Sequence, residues 1–308
     1  TKLTSHGHTD IPRLKESCIN LQILIVWVSS KSANPNFFNK ANMMYDELEK
    51  LSNNDDVVIP NNLKEILKGI NNDKLLLPIS MEGGEAIENN IENLYHFINR
   101  GLFYLGPTWN HSLDWVSSNY DEKYNKDKIK TIGLNDFGKE VINICQENKV
   151  LIDVSHIGEK SFWDIEKISH KPFIASHSSV HKICPHFRNL HDDQIIAIRN
   201  NKGLIGINPY PFFIDPTFKE RESTARNQYK EKIKSIEIQY PKKSSQWLAK
   251  QHFFQKELAN VCPDLDIFID HMEYIIKLAG IDYVGVGSDY DGLDCLPKDW
   301  NDCRDHIK

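Results

Sequence analysis

Short apolar, β-branched runs recur along the chain and are separated by segments with helical spacing. Each run ends in polar or glycine residues, which is typical of strands where they leave a sheet. The predicted strands are eight such runs, residues 3–5, 22–28, 75–80, 102–105, 150–154, 173–176, 204–208 and 283–287. Because apolar strands that alternate with helices pair in parallel through right-handed crossovers, this order predicts a parallel α/β fold.

Two of the intervening segments show clear amphipathic helical spacing. In residues 85–99 the side chains of Ile91, Leu94 and Ile98 fall on one stripe, and residues 137–148 show the same period. Eight strand–helix units fit a closed barrel better than an open doubly wound sheet, and no glycine-rich phosphate loop follows the first strand. The sequence therefore predicts a single TIM-like (β/α)₈ barrel domain over residues 1–308.

Residues 214–261 interrupt the alternation of strands and helices. This stretch is rich in Lys and Glu, has helical spacing and contains Pro241. We expect it to form a helical excursion between strands 7 and 8, with a solvated charged face that carries no chemistry.

The charge and cysteine content exclude some function classes and leave others open. The 308 residues include 37 Lys and Arg against 43 Asp and Glu, for a formal net charge of -6 without a basic block, so we expect no nucleic-acid partner. The longest apolar run, residues 23–28, is too short for a membrane span, which predicts a soluble chain. Six cysteines without a C-x-x-C spacing leave disulfide pairing, export and cellular compartment open.

Residue types that bind metals follow five of the eight predicted strands. In a (β/α)₈ barrel the active site lies at the C-terminal ends of the strands, so these positions converge. The residues concerned are His8 and Asp10 after strand 1, Glu82 after strand 3, Asp153 and His156 after strand 5, His177 after strand 6, and Asp289 and Asp291 after strand 8. Their shared placement predicts a metal site at this end of the barrel.

Residue by residue, other interpretations remain open. A lone histidine beside a strand is more often a hydrogen-bonded structural residue, and Asp153 or Asp291 could cap a helix or form a turn. On an extended chain His6, His8 and Asp10 face the same side. The metal pair on this segment is therefore either His6 with His8 or His8 with Asp10.

Six motifs in unbroken order resemble the membrane (renal) dipeptidase family of zinc metallopeptidases, which belongs to the metal-dependent amidohydrolase-like barrels. They are His8-Thr-Asp10-Ile-Pro12-Arg-Leu, Met81-Glu82-Gly-Gly84, Asp153-Val-Ser-His156, Ile174-Ala-Ser-His177-Ser-Ser179, Phe187-Arg188-Asn189-Leu-His-Asp-Asp193 and Val286-Gly-Ser-Asp289-Tyr-Asp-Gly292. The resemblance covers nearly the whole chain. It implies a (β/α)₈ barrel that holds two zinc ions and hydrolyses dipeptides, often with a D-residue or dehydro residue on the C-terminal side.

The resemblance also implies roles for individual residues. These are His8 and Asp10 as ligands of the first zinc, Glu82 as the carboxylate that bridges both ions, His156 and His177 as ligands of the second, Asp289 as the acid that accepts and returns a proton, and Arg188 as the residue that holds the substrate carboxylate. In this assignment His6 only supports the ligands. The family further implies a homodimer and an additional helical segment after residue 308.

One position departs from the family pattern. Where the family usually carries Thr-His-Asn after strand 4, this chain has Thr108, Trp109 and Asn110. An indole donates one hydrogen bond and cannot become charged, and loss of an oxyanion donor typically costs about 10² to 10³ in rate. Trp109 is thus a candidate substrate-binding residue or a packing residue, and His111 is an alternative donor.

Three functions are compatible with these residues. The first is a binuclear zinc dipeptidase that acts through a metal-bridging hydroxide, with Asp289 and Glu82 in catalysis. The second is a hydrolase of a different amide or of a lactone on the same metal pair. The third is a catalytically impaired metal-binding scaffold, because Trp109 replaces the family histidine. The intact set of predicted ligands favours an enzyme over a scaffold.

Overall fold

The computed structural model describes residues 3–4, 7–30 and 35–307. The strands in these ranges are β1 (Leu24–Trp27), β2 (Val57–Val58), β3 (Leu75–Leu76), β4 (Ile79–Glu82), β5 (Tyr104–Gly106), β6 (Leu151–Asp153), β7 (Phe173–Ile174), β8 (Ile205–Ile207) and β9 (Val284–Val286). The α-helices are α1 (Ile11–Glu16), α2 (Phe37–Glu49), α3 (Leu63–Asn71), α4 (Ile91–Asn99), α5 (Asn119–Tyr124), α6 (Asp136–Glu147), α7 (Glu159–Ile168), α8 (Asp192–Asn200), α9 (Pro211–Ile214), α10 (Phe218–Gln228), α11 (Lys230–Gln239), α12 (Lys243–Glu257) and α13 (Leu265–Ala279).

The chain divides into two compact units. The sheet unit consists of Ile19–Ser176 with Ala197–Leu204, and the second unit consists of Thr1–Cys18, His177–Ile196 and Ile205–Lys308. That residues 1–308 form one barrel domain stays a prediction. No helix in the described ranges is both long and apolar enough to cross a membrane.

A parallel five-stranded sheet forms the centre of the sheet unit, in the order β1-β4-β5-β6-β7. Consecutive residues of β4 are buried, including Ile79 and Met81 on one face and Ser80 on the other. Burial of both faces is typical of a parallel sheet covered by helices, so the predicted parallel pairing is confirmed. In the β1–β4 register, Trp27 lies beside Glu82 at the end of both strands.

Asparagine side chains begin four of the helices in the sheet unit. Asn36, Asn62, Asn90 and Asn135 each accept a hydrogen bond from a backbone N–H in the first turn of α2, α3, α4 and α6. Such caps satisfy N–H groups that have no partner inside the helix. They fix where these helices begin relative to the strands that precede them.

Two predicted strands differ from the observed ones. Leu3 and Thr4 are not in a strand, and Ser5 lies outside the described residues. The Thr4 N–H donates to Asp10 Oδ2 at 3.0 Å instead of joining a ladder. Residues 75–80 form two strands, because β3 pairs with β2 whereas β4 pairs with β1 and β5, and Pro78 lies between them.

The helix predicted over residues 85–99 is interrupted. A 3₁₀ helix covers Gly84–Ile87, and α4 begins only at Ile91. Glu88 and Asn89 between them adopt positive φ angles of 51° and 53°, which end a right-handed helix. This break separates the short helix after Glu82 from the outer helix α4.

The second unit contains the parallel pair β8 and β9 and the predicted helical excursion. Residues 211–257 form α9 to α12, which confirms the expected helical character of the segment. A hydrophobic cluster forms the core of this region and consists of Phe218, Ala225, Phe254, Leu258, Cys262 and Cys295. All six cysteines of the chain are described and all are free thiols.

A fully buried histidine connects three segments of the second unit. On α13, His271 Nδ1 accepts a hydrogen bond of 2.9 Å from the Val180 N–H, and its Nε2 lies 3.0 Å from the Ile214 carbonyl oxygen. This arrangement requires the neutral imidazole with its proton on Nε2. Burial lowers the pKa of His271 below its ordinary value, although the bond to Ile214 raises it in part.

We expect stability to fall on acidification because of His271. Below the ordinary histidine pKa of about 6.5, His271 binds a proton in the unfolded chain but not in the folded chain. The free energy of unfolding therefore decreases as the pH falls. Protonation would also remove the acceptor of the Val180 N–H, at a cost of about 1–3 kcal/mol. The free energy of unfolding in urea should change less between pH 7 and pH 5 in His271→Gln than in the wild type. His252→Gln, at an exposed position on α12, provides the control and should show the same pH dependence of the unfolding free energy as the wild type.

Candidate metal centre and active site

The ends of β4 and β6 bring Glu82 and His156 into contact in the sheet unit. Glu82 is the last residue of β4, and His156 follows β6 by three residues. The Nε2 atom of His156 lies 2.9 Å from Glu82 Oε1, with side-chain exposures of 8% and 17%. A buried imidazole against a carboxylate at one sheet edge is a pair of ligand types suited to a divalent metal ion.

Glycine is required directly after Glu82. Gly83 has a φ of 94°, and a Cβ at this position would collide with the Glu85 carboxylate. A tight turn of this kind lets the strand end on Glu82 without side-chain crowding. Glycine at position 83 therefore has a direct steric basis.

Glu85 is a second buried carboxyl group near this turn. Burial raises the pKa of Glu85 to about 7, and the charge of Glu82 adds to this effect. Its Oε2 atom has no hydrogen-bond partner among the residues that the structure describes. Burial therefore favours the neutral form of the Glu85 carboxyl group. Glu85 was not predicted as a site residue, because nothing in its sequence spacing indicates burial.

Trp109 lies beside His156 and packs against a second tryptophan. Its ring centre is 4.9 Å from that of Trp27 in an edge-on contact, and 6.4 Å from the rings of His156 and His111. Trp27 was not predicted as a site residue, although its position at the end of an apolar strand is the signal that could have indicated it. Its buried indole nitrogen has no hydrogen-bond partner in the described part of the chain.

The alternative donor His111 is held by an acidic side chain. Its Nδ1 atom lies 3.4 Å from Asp121 Oδ1, and Asp121 also accepts the Ser112 N–H at 2.6 Å. Burial alone would raise the pKa of Asp121, but hydrogen bonds from Ser112, Asn125 and His111 outweigh burial and lower it. His111 therefore faces a carboxylate that is ionised at neutral pH.

In the second unit, His8 is fully buried and fixed by Asp291. Its N–H donates to Asp291 Oδ1 at 2.6 Å, and the Asp291 N–H donates to His8 Nδ1 at 3.0 Å. The Nε2 atom of His8 is buried and has no hydrogen-bond partner among the described residues. Burial lowers the pKa of His8, although Asp291 opposes this, so the neutral imidazole is favoured, and its proton lies on Nε2 because Nδ1 accepts the Asp291 N–H.

Asp10 caps α1 in this structure. Its Oδ1 accepts the Arg13 N–H at 2.9 Å, and its Oδ2 accepts Arg13 Nε at 2.8 Å together with the Thr4 N–H. Burial would raise the pKa of Asp10, but the hydrogen bonds from Arg13 and Thr4 outweigh it and lower the pKa. Metal binding by Asp10 stays a prediction. The alternative partner His6 lies outside the described residues.

Asp289 follows β9 in a strained turn and is positioned by an amide. Its φ is 48°, a left-handed conformation that an Asp adopts at a cost. The Asn208 side-chain amide, which comes directly after β8, donates to Asp289 Oδ2 at 3.1 Å. Asn208 was not predicted as a site residue either, and its place at a strand end is the signal that could have indicated it.

Arg188 is buried rather than at the surface, with only 4% of its area exposed. Its guanidinium lies 5.4 Å from the centre of the Phe213 ring, and its N–H donates to His186 Nδ1 at 3.3 Å. His177 is also buried and comes directly before Ser178, whose N–H donates to the Gly206 carbonyl of β8 at 2.8 Å.

Parallel strands that end in buried imidazoles and carboxylates are typical of metal-dependent hydrolases on α/β folds. Residues 1–307 match the membrane dipeptidase family, peptidase family M19, so the chain belongs to that family of metallopeptidases.

Two related sequences overlap the chain to different extents. A protein from the PQQ-III 3′ region of Acinetobacter calcoaceticus is 40% identical over 135 residues, which is 44% of this chain and 42% of that protein. The dipeptidase C965.12 of Schizosaccharomyces pombe is 23% identical over 308 residues, with coverage of 96% of this chain and 64% of that protein. The chain thus spans less than two thirds of the length of both relatives.

A solved structure has the same fold. A metallopeptidase from Rhodobacter sphaeroides, crystallised with a phosphinate mimic of the dipeptide L-Ala-D-Ala, superimposes with a TM-score of 0.75 at 22% identity. The match covers 99% of this chain and 82% of that protein. It confirms the predicted α/β fold class, the TIM-like barrel of the family. In the described ranges, the strand hydrogen bonds form separate sheets of five, two and two strands.

Proposed function

We propose that this protein is a metal-dependent dipeptidase that hydrolyses dipeptides with a free C-terminal carboxylate. The contact of 2.9 Å between Glu82 and His156 at the ends of β4 and β6 carries this proposal, in a chain of the membrane dipeptidase family. The Rhodobacter sphaeroides metallopeptidase binds a mimic of L-Ala-D-Ala, which supports dipeptides with a C-terminal D-residue as the substrate class.

The residues present fit a pair of zinc ions. Glu82 places a carboxylate against the His156 imidazole, and the fully buried His8 supplies a further imidazole. The proposed ligands are His8 and Asp10 for one ion, His156 and His177 for the other, and Glu82 for both. Bound zinc would polarise the peptide carbonyl and lower the pKa of the attacking water.

Two further residues of the chain would act on the substrate itself. Asp289, held by Asn208, would accept a proton from the attacking water and deliver it to the leaving amine. Arg188 would hold the α-carboxylate, because a planar guanidinium fork forms two parallel hydrogen bonds to a carboxylate. A grip on that carboxylate would select substrates with one residue after the scissile bond.

Zinc content and substrate range together test the proposed function. Bound zinc per chain is measured first, and turnover is then assayed with L,L and L,D dipeptides, N-acyl amino acids and a lactone. We expect close to two zinc ions and turnover of dipeptides. Hydrolysis of N-acyl amino acids or the lactone alone would favour the alternative hydrolase, and full zinc content with no turnover of any compound would indicate a scaffold.

Trp109→His should raise kcat for dipeptides by about 10-fold or more. The imidazole restores a donor that can carry charge beside His156, where the indole offers a single neutral N–H, and one oxyanion donor is typically worth about 10² to 10³ in rate. Steady-state kinetics with one L,D dipeptide measure the effect. Trp163→His on α7 is the matched control and should leave kcat unchanged. An unchanged kcat in Trp109→His would show that Trp109 does not limit catalysis.

A further inference from the structure

Asp153, the last residue of β6, connects the ends of β6 and β7 through its side chain. It is buried, with 2% of its area exposed, and lies in the sheet unit. Its Oδ1 accepts the Ser155 N–H at 3.1 Å, the Ser155 hydroxyl at 2.6 Å and the Ser176 N–H at 2.8 Å. Its Oδ2 accepts the Ser176 hydroxyl at 2.6 Å. One carboxylate thus receives four hydrogen bonds from two segments.

These bonds begin where the backbone ladder ends. The β6–β7 register pairs Asp153 with Ile174, and the Val154 N–H still reaches the Ile174 carbonyl at 2.7 Å. Beyond this point the strands would separate, and the Asp153 carboxylate takes over the connection through Ser155 and Ser176. A buried carboxylate with this many donors keeps both segments in one arrangement.

The two serines directly precede the two histidines proposed as zinc ligands. Ser155 is followed by His156, and Ser176 is followed by His177. We propose that Asp153 is a positioning residue, which fixes the backbone that carries both histidines before zinc binds. This inference rests on the proposed function, since it assumes that these histidines hold the metal.

The arrangement differs from that of an ordinary buried aspartate. Asp215 in the second unit accepts the Thr217 N–H at 2.8 Å, the Thr217 hydroxyl at 2.7 Å and the Arg221 guanidinium at 2.6 Å. It has similar burial and similar bonds, but the residues that it holds are not next to a proposed ligand. Asp215→Ala is therefore a matched control for the loss of a buried, hydrogen-bonded carboxylate.

Zinc titration of the full-length chain after removal of metal by a chelator tests the role of Asp153. Zinc affinity is measured by competition with a chromophoric chelator, and the thermal midpoint of the metal-free protein is measured in parallel. Asp153→Ala should weaken zinc binding by about 10- to 100-fold, as loss of residues that orient metal ligands commonly does. Asp215→Ala should lower the thermal midpoint but keep the wild-type zinc affinity.

Asp153→Asn tests whether geometry alone is sufficient. The amide oxygen can accept the three bonds that Oδ1 receives, and the amide nitrogen can donate to a rotated Ser176 hydroxyl. We therefore expect Asp153→Asn to retain most of the zinc affinity that Asp153→Ala loses. Ser176→Ala removes a single hydroxyl bond and should weaken zinc binding less than Asp153→Ala does.

The outcomes separate this inference from the proposed function. Wild-type protein that binds no zinc would contradict the proposed function. Zinc binding by the wild type with equal affinity in Asp153→Ala would overturn the positioning role. Should Asp153→Ala fail to fold, Ser176→Ala decides the question, because wild-type zinc affinity in that variant, together with a lowered thermal midpoint, would assign the Asp153 contacts to stability alone.

Discussion

Glu82→Gln should lower the zinc content and reduce dipeptide turnover by more than about 100-fold. The Glu82 carboxylate contacts His156 at 2.9 Å and is the proposed ligand of both ions, and the amide keeps its size but removes its charge and one acceptor oxygen. Loss of residues that merely orient ligands already costs about 10- to 100-fold, so loss of a shared ligand should cost more. Zinc per chain and kcat/KM are measured on the same preparations.

Glu85→Gln is the control for this substitution. Glu85 lies on the same turn and is buried, and burial raises its pKa to about 7, which favours its neutral form. An amide mimics that neutral form, and we expect zinc content to remain at the wild-type level at pH 7. If Glu82→Gln also retained full zinc content, Glu82 would not be a shared ligand.

The alternation of apolar strands and helices was sufficient to predict the parallel sheet. Its inner strands β4 and β5 are short and buried on both faces, and this pattern is local in the sequence. The division of residues 75–80 into β3 and β4 was not predictable, because it depends on which neighbours the two halves find. β3 pairs with β2, a strand of only two residues, whereas β4 pairs with β1 and β5.

The sequence predicted which residue types meet at the strand ends but not which residues hold them in place. Glu82 and His156 were predicted to converge, and the structure brings them into contact. His8 pairs with Asp291, which lies 283 residues further along the chain. Local spacing patterns predict contacts only between residues that are close in the sequence. Asn208 is likewise separated from Asp289 by 81 residues, so its role emerges only in the folded chain.

Asp10 shows how two local signals compete. An aspartate directly before Ile11 and Pro12 is a typical start of a helix, and the structure shows that Asp10 caps α1 and pairs with Arg13. The same aspartate, two residues after His8, also has the spacing of a metal ligand. A carboxylate with two oxygens can serve both purposes, since in the described ranges Oδ1 receives a single hydrogen bond, from Arg13.

Arg188→Ala should lower kcat/KM for dipeptides by at least about 100-fold. Each hydrogen bond to a charged group contributes about 1.5–3 kcal/mol, and a fork that grips a carboxylate forms two of them. Every 1.4 kcal/mol or so is a tenfold effect on binding. The decisive measurement compares a dipeptide with its C-terminal amide. Wild-type enzyme should prefer the free acid strongly, and Arg188→Ala should show nearly equal kcat/KM for both.

The amide substrate also separates substrate binding from damage to the fold. Arg188 packs over Phe213, so its removal leaves a gap that could disturb the site in any variant. Such damage would lower turnover of acid and amide alike, whereas loss of the carboxylate grip affects the acid alone. Arg188→Lys retains the charge but not the planar fork and should give an intermediate preference. If Arg188→Ala kept the full preference for the free acid, a residue other than Arg188 would bind the substrate carboxylate.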